Sequence, residues 1–220
     1  MPRFFINPEQ ADENGIVHFS GKLTPDWLID AYSHGIFPWP LTNPQNAKES
    51  FLVWFSPDPR NIFEFEQFRV PHRLERTCNS GRFRVTRNAD FSSVIKNCAE
   101  RHEEGGTWIT PRMIKAYIRL HHLGYAHSVE AWLGNELAGG VYGVAVGGLF
   151  AAESMFYRHR DASKVALVAL IRHLKECGYQ LVDIQTKTDH TAQFGAVEIS
   201  RSEYLRRLYS ALQCTPKPFI

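Results

Sequence analysis

The stretch Leu137–Glu153 reads LAGGVYGVAVGGLFAAE, Ala162–Gly178 reads ASKVALVALIRHLKECG, and Leu181–Gln185 reads LVDIQ. These three pieces decide the fold class. In the first, apolar runs are broken at Gly147-Gly148, a turn signal between two strands, Leu137–Val146 and Leu149–Glu153. In the second, Leu167, Leu170, Ile171 and Leu174 recur at helical spacing, and Gly178 closes a helix over 162–176. The third is a further short strand. Working back toward the N-terminus, His127–Leu133 alternates and ends at Gly134-Asn135, so it is the first strand of the same meander.

The rest of the chain supplies helices and an irregular segment. Thr110 and Pro111 open a helix over 110–123, residues 89–100 read as another, and Arg84–Thr86 as a strand. Thr24, Pro25 and Asp26 start a short helix that Gly35 ends. Ser200 with Glu203 forms a capping box ahead of Leu205, Leu208 and Leu212. Residues 37–60 carry Pro38, Pro40, Pro57 and Pro59, which predicts turn-laden chain and a boundary between domains. The predicted class is α/β (α+β): a mixed sheet flanked by helices, with a small N-terminal domain over 1–60 and a larger one over 61–220.

Composition narrows the function classes. With 220 residues, 44% hydrophobic and 22% charged, the chain is globular rather than disordered. No apolar run approaches a membrane span, and the N-terminus does not read as a signal peptide. Cys78, Cys98, Cys177 and Cys214 have no metal-ligand spacing, and the histidines form no metal motif. Free thiols in a cytoplasmic protein without a bound metal are the expectation.

Four features carry chemistry. In Leu181–Gln185, strand alternation puts Asp183 and Gln185 on one face. Burying them unpartnered costs a few kcal/mol, roughly, so they either tie down a loop at a strand end or do chemistry. Glu153 stands at a strand end behind two alanines, either solvated or functional. Arg158, Arg160 and Lys164 flank a helix N-terminus, which suits an anion as well as an ordinary exposed cap. Net charge is only +2, yet Arg69, Arg73, Arg76, Arg82, Arg84 and Arg87 crowd a short stretch opposed only by Glu75. That is the footprint of a phosphate backbone, or a solvated face. Trp39, Trp54 and Trp108 lie beside turn residues, where an indole stacks on a base or plugs a core edge.

Taken in order, the motifs Gly35–Trp39, Trp54–Arg60, Glu104–Thr110, Gly139–Val144, Glu153–Phe156, Ala162–Lys164, Asp183–Gln185, Asp189–Thr191 and Phe194–Ala196 resemble the bacterial leucyl/phenylalanyl-tRNA–protein transferases. The resemblance implies an N-acetyltransferase-like larger domain and a donor that is Leu-tRNA or Phe-tRNA, with Met-tRNA used less well. It implies acceptor proteins beginning with Arg or Lys, which the added residue marks for degradation by the N-end rule pathway, and no cofactor. Asp183 and Gln185 are the implied catalytic pair: Gln185 accepts a hydrogen bond from the attacking amine, and Asp183 polarises Gln185 and stabilises the charge on nitrogen. Trp39 and Trp108 flank the terminal adenosine. Val141, Phe150, Glu153, Leu167, Leu170, Leu174 and Val182 line the side-chain pocket, although the helical stripe among them also fits a plain core. Arg69, Arg73, Arg76, Arg82 and Arg84 hold the tRNA. Members of the family often have Met where this chain has Val141, a difference worth about 1–3 kcal/mol between Leu and Phe. Two rivals remain at this point. An acyl-CoA N-acetyltransferase would need a Gly-rich loop before the long helix, where this chain has none. An RNA-binding module would leave Asp183 and Gln185 without a task.

Overall fold

Backbone pairing sorts ten strands into two sheets in the computed structural model, which describes residues 1–19, 21–43, 46–100 and 108–220. In chain order the elements are β1 (Ile16–Phe19), α1 (Pro25–Ser33), β2 (Phe37–Asn43), β3 (Asn46–Phe55), β4 (Arg60–Phe63), α2 (His72–Asn79), β5 (Arg84–Arg87), α3 (Phe91–Ala99) and α4 (Pro111–His122). They continue with β6 (Ala126–Leu133), β7 (Glu136–Val146), β8 (Leu149–Tyr157), α5 (Ala162–Cys177), β9 (Leu181–Gln185), α6 (Asp189–Ala192), β10 (Val197–Ile199) and α7 (Arg201–Leu212).

The smaller sheet has the order β1-β3-β2 and the larger β10-β4-β9-β8-β7-β6-β5. Every pairing is antiparallel except β8 with β9, which are parallel. A parallel pair needs a long crossover, and α5 is that crossover. One core lies between the small sheet, α1, α3, α4, α7 and one face of the large sheet, and includes Leu28, Trp54, Phe91, Met113 and Leu208. The other lies under α2 and α5, and includes Leu74, Leu167, Leu170, Leu174, Phe150 and Val182. The fold is therefore mixed α+β, with helices on both faces of the larger sheet.

Local chemistry explains most boundaries. Thr110 caps α4 through its Oγ1, which accepts the Met113 N–H at 3.3 Å, and Gly178 ends α5 in a left-handed turn at φ 87°. Gly139 lets α5 start directly against β7: a Cβ there would stand 2.7 Å from Ala162 Cβ and 2.8 Å from Ser163 N.

Three readings change. Residues 37–43 and 46–55 are not turn-laden chain but form β2 and β3. Pro38 and Pro40 are tolerated because β2 is an edge strand, with no further strand on its outer side among the described residues. Ser200 caps α7 by accepting the Glu203 N–H at 3.2 Å, but Glu203 turns away to pair with Arg206 and Arg207, so the box is half formed. The third strand of the meander runs to Tyr157, which puts Glu153 mid-strand rather than at an end.

Candidate active site

The site opens where β8 and β9 stop pairing. Their parallel register runs Leu149–Leu181, Phe150–Val182, Ala151–Asp183, and then ends. Beyond it, Ala152, Glu153, Ser154, Met155 and Tyr157 on one side face Ile184, Gln185 and Thr186 on the other, across a cleft of about 700 Å³. Two backbone irregularities aim the polar groups. In the β7–β8 pairing, Tyr142 faces Ser154 and Gly143 faces Ala152, so Glu153 is the extra residue of a bulge. At the end of β9, Gln185 has φ 60° and the Thr186 N–H bonds back to the Ile184 carbonyl at 2.7 Å, forming a γ-turn. For a non-glycine residue that backbone costs on the order of 1–3 kcal/mol.

Asp183 holds the strained turn. Its Oδ1 accepts the Gln185 main-chain N–H at 2.8 Å. Arg60 of β4 grips the carboxylate with two bonds, from Nε at 2.9 Å and Nη2 at 2.5 Å, and Tyr204 donates to it at 2.8 Å. Arg60 also donates to the Gly35 carbonyl at 3.1 Å and lies over the rings of Phe37 and Tyr204. Burial alone would lower the Arg60 pKa; the adjacent Asp183 charge outweighs it and raises it.

The alternation read from the sequence does not survive the turn. Asp183 has no exposed surface and does not reach the cleft, whereas Gln185 lines it. The expected contact between Asp183 and the Gln185 side chain is replaced by one to its main chain, because Arg60 and Tyr204 take the rest of the carboxylate.

Gln185 reaches Glu153 instead, its Nε2 donating to Oε1 at 2.8 Å, while among the described residues none donates to its own amide oxygen. Tyr32 donates to Glu153 Oε1 at 2.8 Å and Tyr117 to Oε2 at 3.2 Å, while the two hydroxyls lie 2.5 Å apart. Burial pushes the Glu153 carboxyl up to about 7, against the lowering effect of the Tyr32 hydroxyl. Burial, then the Glu153 charge, holds Tyr32 and Tyr117 well above the usual phenol range.

Of the apolar residues expected around the donor, Trp39, Trp108, Val141 and Leu167 line the cleft with Glu153. Phe150, Leu170, Leu174 and Val182 do not; they are buried behind it in the core under α5, because the face of a helix that packs on a sheet is larger than the part that frames an opening. Trp39 and Trp108 stack on each other at 4.8 Å and 13°. Bases stack ~3.4 Å apart, so an adenine fits between these rings only once they part by at least about 2 Å. The Glu104–Thr107 part of that motif lies outside the described residues.

Arg69, Arg73, Arg76, Arg82 and Arg84 are all exposed on or beside α2 and β5. Arg73 pairs with Asp161 at 3.0 Å, and Arg84 covers the Trp132 ring. Asp161 is the N-cap residue of α5, in a left-handed conformation; its carboxylate makes no capping hydrogen bond to the helix and accepts from Arg73 instead. Among the described residues no group of three His, Cys, Asp or Glu side chains is placed to hold a metal, and no helix is long and apolar enough to cross a membrane. Sequence reading missed Arg60, Tyr32, Tyr117 and Tyr204, which come from four distant elements. Only Arg60 had a local signal, as the last residue of the Trp54–Arg60 motif.

Comparison with known proteins places these elements in one family. Residues 62–209 match the family model for leucyl/phenylalanyl-tRNA protein transferase, and residues 21–58 match that of its N-terminal domain. A leucyl/phenylalanyl-tRNA–protein transferase from Anaeromyxobacter sp. (strain Fw109-5) is 47% identical over 94% of this chain and 87% of its own. One from Solidesulfovibrio magneticus is 48% identical over 94% of this chain and 82% of its own. Among solved structures, L-PGS from Bacillus licheniformis is 11% identical with a TM-score of 0.39, covering 71% of this chain and 50% of that one, too distant to carry an argument. With both family models matched in order and nearly half of all residues identical to such relatives, the chain is an enzyme that belongs to the leucyl/phenylalanyl-tRNA protein transferase family.

Proposed function

We propose that the enzyme moves Leu or Phe, and less readily Met, from aminoacyl-tRNA to the N-terminal Arg or Lys of acceptor proteins in the cytoplasm, marking them for degradation by the N-end rule pathway. The observation that carries this reading is the hydrogen-bonded Gln185–Glu153 pair at the mouth of the β8–β9 split. The donor ester is already activated, so positioning and proton transfer are the main tasks. The acceptor amine attacks the ester carbonyl carbon, the bond to the ribose oxygen breaks, the nitrogen loses a proton, and the ribose oxygen gains one. Gln185 accepts a hydrogen bond from the amine at its amide oxygen. Glu153, titrating near 7, takes the proton and passes one on. Asp183 is a positioning residue that holds the Gln185 turn.

The charge of the cleft supports a cationic acceptor. Glu153 and Asp189 line it, and no Lys or Arg does among its described lining residues. Trp39 and Trp108 take the terminal adenosine. Val141 and Leu167 meet the donor side chain, with Phe150, Leu170, Leu174 and Val182 setting the depth behind them. Arg69, Arg73, Arg76, Arg82 and Arg84 hold the tRNA backbone. We also propose the division into 1–60 and 61–220, with the small sheet serving the adenosine end. Asp161 at the start of α5 argues against a pyrophosphate there, and so against an acyl-CoA donor. The test is transfer of labelled Leu or Phe from charged tRNA to peptides beginning with Arg, Lys or Ala, with acetyl-CoA as rival donor. Transfer restricted to Arg and Lys peptides supports the proposal; acetylation without tRNA-dependent transfer refutes it.

A further inference from the structure

The small sheet presents an apolar face that no described residue covers at its outer end. Its inner face turns Trp54 and His18 onto Phe5 and Trp27. On the other face, Trp39 stands opposite Val53, Leu41 opposite Phe51, and Phe19 opposite Val53 on the far side. Near the cleft this face is closed by Trp39 stacking on Trp108. Two residues further along β2, roughly 7 Å at strand spacing, it is open: Phe51 is 54% exposed, Leu41 37%, and Phe19 62%. Large apolar side chains grouped this way at the edge of a cleft mark a binding surface.

We propose that Leu41, Phe51 and Phe19 form a stacking platform for the nucleotides that precede the terminal adenosine in the single-stranded 3′ end of the donor RNA. The inference rests on the reading of the cleft given above. Two observations favour RNA over the acceptor protein or a second copy of the chain. The platform continues, on the same strand and the same face, the ring assigned to the terminal base. The part-exposed rings of Phe51 and Phe19 suit planar bases, and stacking tolerates any base.

The experiment compares two donors, Phe-tRNA and 3′-phenylalanyl-adenosine, the second lacking every nucleotide but the last. Phe51→Ser and Leu41→Ser change exposed positions, so the fold is expected to persist; circular dichroism and Tm verify it. The expected result is a KM for Phe-tRNA raised at least about fivefold by Phe51→Ser, with KM for phenylalanyl-adenosine and for the Arg peptide unchanged. Phe51→Trp, which keeps a flat ring, restores KM to near the wild-type value. Equal effects on both donors, no effect on either, a change confined to the peptide KM, or a wild-type dimer that Phe51→Ser dissociates would each overturn the platform. A wild-type enzyme that uses neither donor would remove the reading beneath it, and the platform with it.

Discussion

Replacing Glu153 by Gln keeps the size of the side chain and removes its proton equilibrium. In the folded enzyme burial raises this carboxyl from the ordinary 4.5 to about 7. The folded state therefore holds a proton that the unfolded chain has already lost between these two values. Stability drawn from this group is fully present below about pH 4.5 and is lost as pH rises through about 7. A fully dry carboxyl with that shift corresponds to roughly 3 kcal/mol. Glu153 keeps an edge in contact with cleft water, which screens its charge, so about 2 kcal/mol is the better figure. In Glu153→Gln the amide oxygen still accepts from Tyr32 and the amide N–H₂ donates to Tyr117, while the pH-dependent loss disappears. Urea unfolding of both proteins from pH 5 to pH 8 measures this. Near pH 5 the two should be similar in stability, and near pH 8 the variant should be the more stable by about 2 kcal/mol. The transfer rate of the wild type should show an apparent pKa near 7 that the variant lacks. Identical pH slopes in both proteins would refute the burial argument, and an unchanged rate profile would refute the proton-transfer role.

Three further outcomes are expected. Asp183→Asn leaves Arg60 buried without its counter-charge and should cost about 3–5 kcal/mol in urea unfolding; turnover should fall with little change in donor KM, because only the Gln185 turn is released. Gly143→Ala places a Cβ 2.3 Å from the Ala151 carbonyl oxygen and 2.4 Å from the Phe150 ring, beside the bulge that aims Glu153, so calorimetry should show Tm lowered by at least about 4 °C. Arg76→Gln should weaken tRNA binding without altering peptide KM, and the slope of log affinity against log salt should fall by roughly 0.9 if one phosphate contact is lost.

Sequence alone carried the larger sheet's meander, α4 with its Thr110 cap and α5 with its closing Gly178, because these depend on neighbours a few residues away: a turn glycine, a capping threonine, leucines at helical spacing. It also singled out Asp183, Gln185 and Glu153, since a carboxylate or amide inside an apolar strand is conspicuous without any structure. Tertiary structure decided what each of those residues does. Asp183 became a buried anchor because Arg60 and Tyr204, from two other elements, close around it. Gln185 turned to the cleft because a γ-turn broke the strand period that had placed it beside Asp183. Glu153 gained its raised pKa from burial, set against the hydroxyls of Tyr32 and Tyr117, residues far from it in the chain. Pro38 and Pro40 sit in a strand only because that strand is at an edge, a property of sheet order that no local window contains. Periodicity and capping are written in adjacent residues, while charge pairing, strain and exposure depend on which distant segments meet.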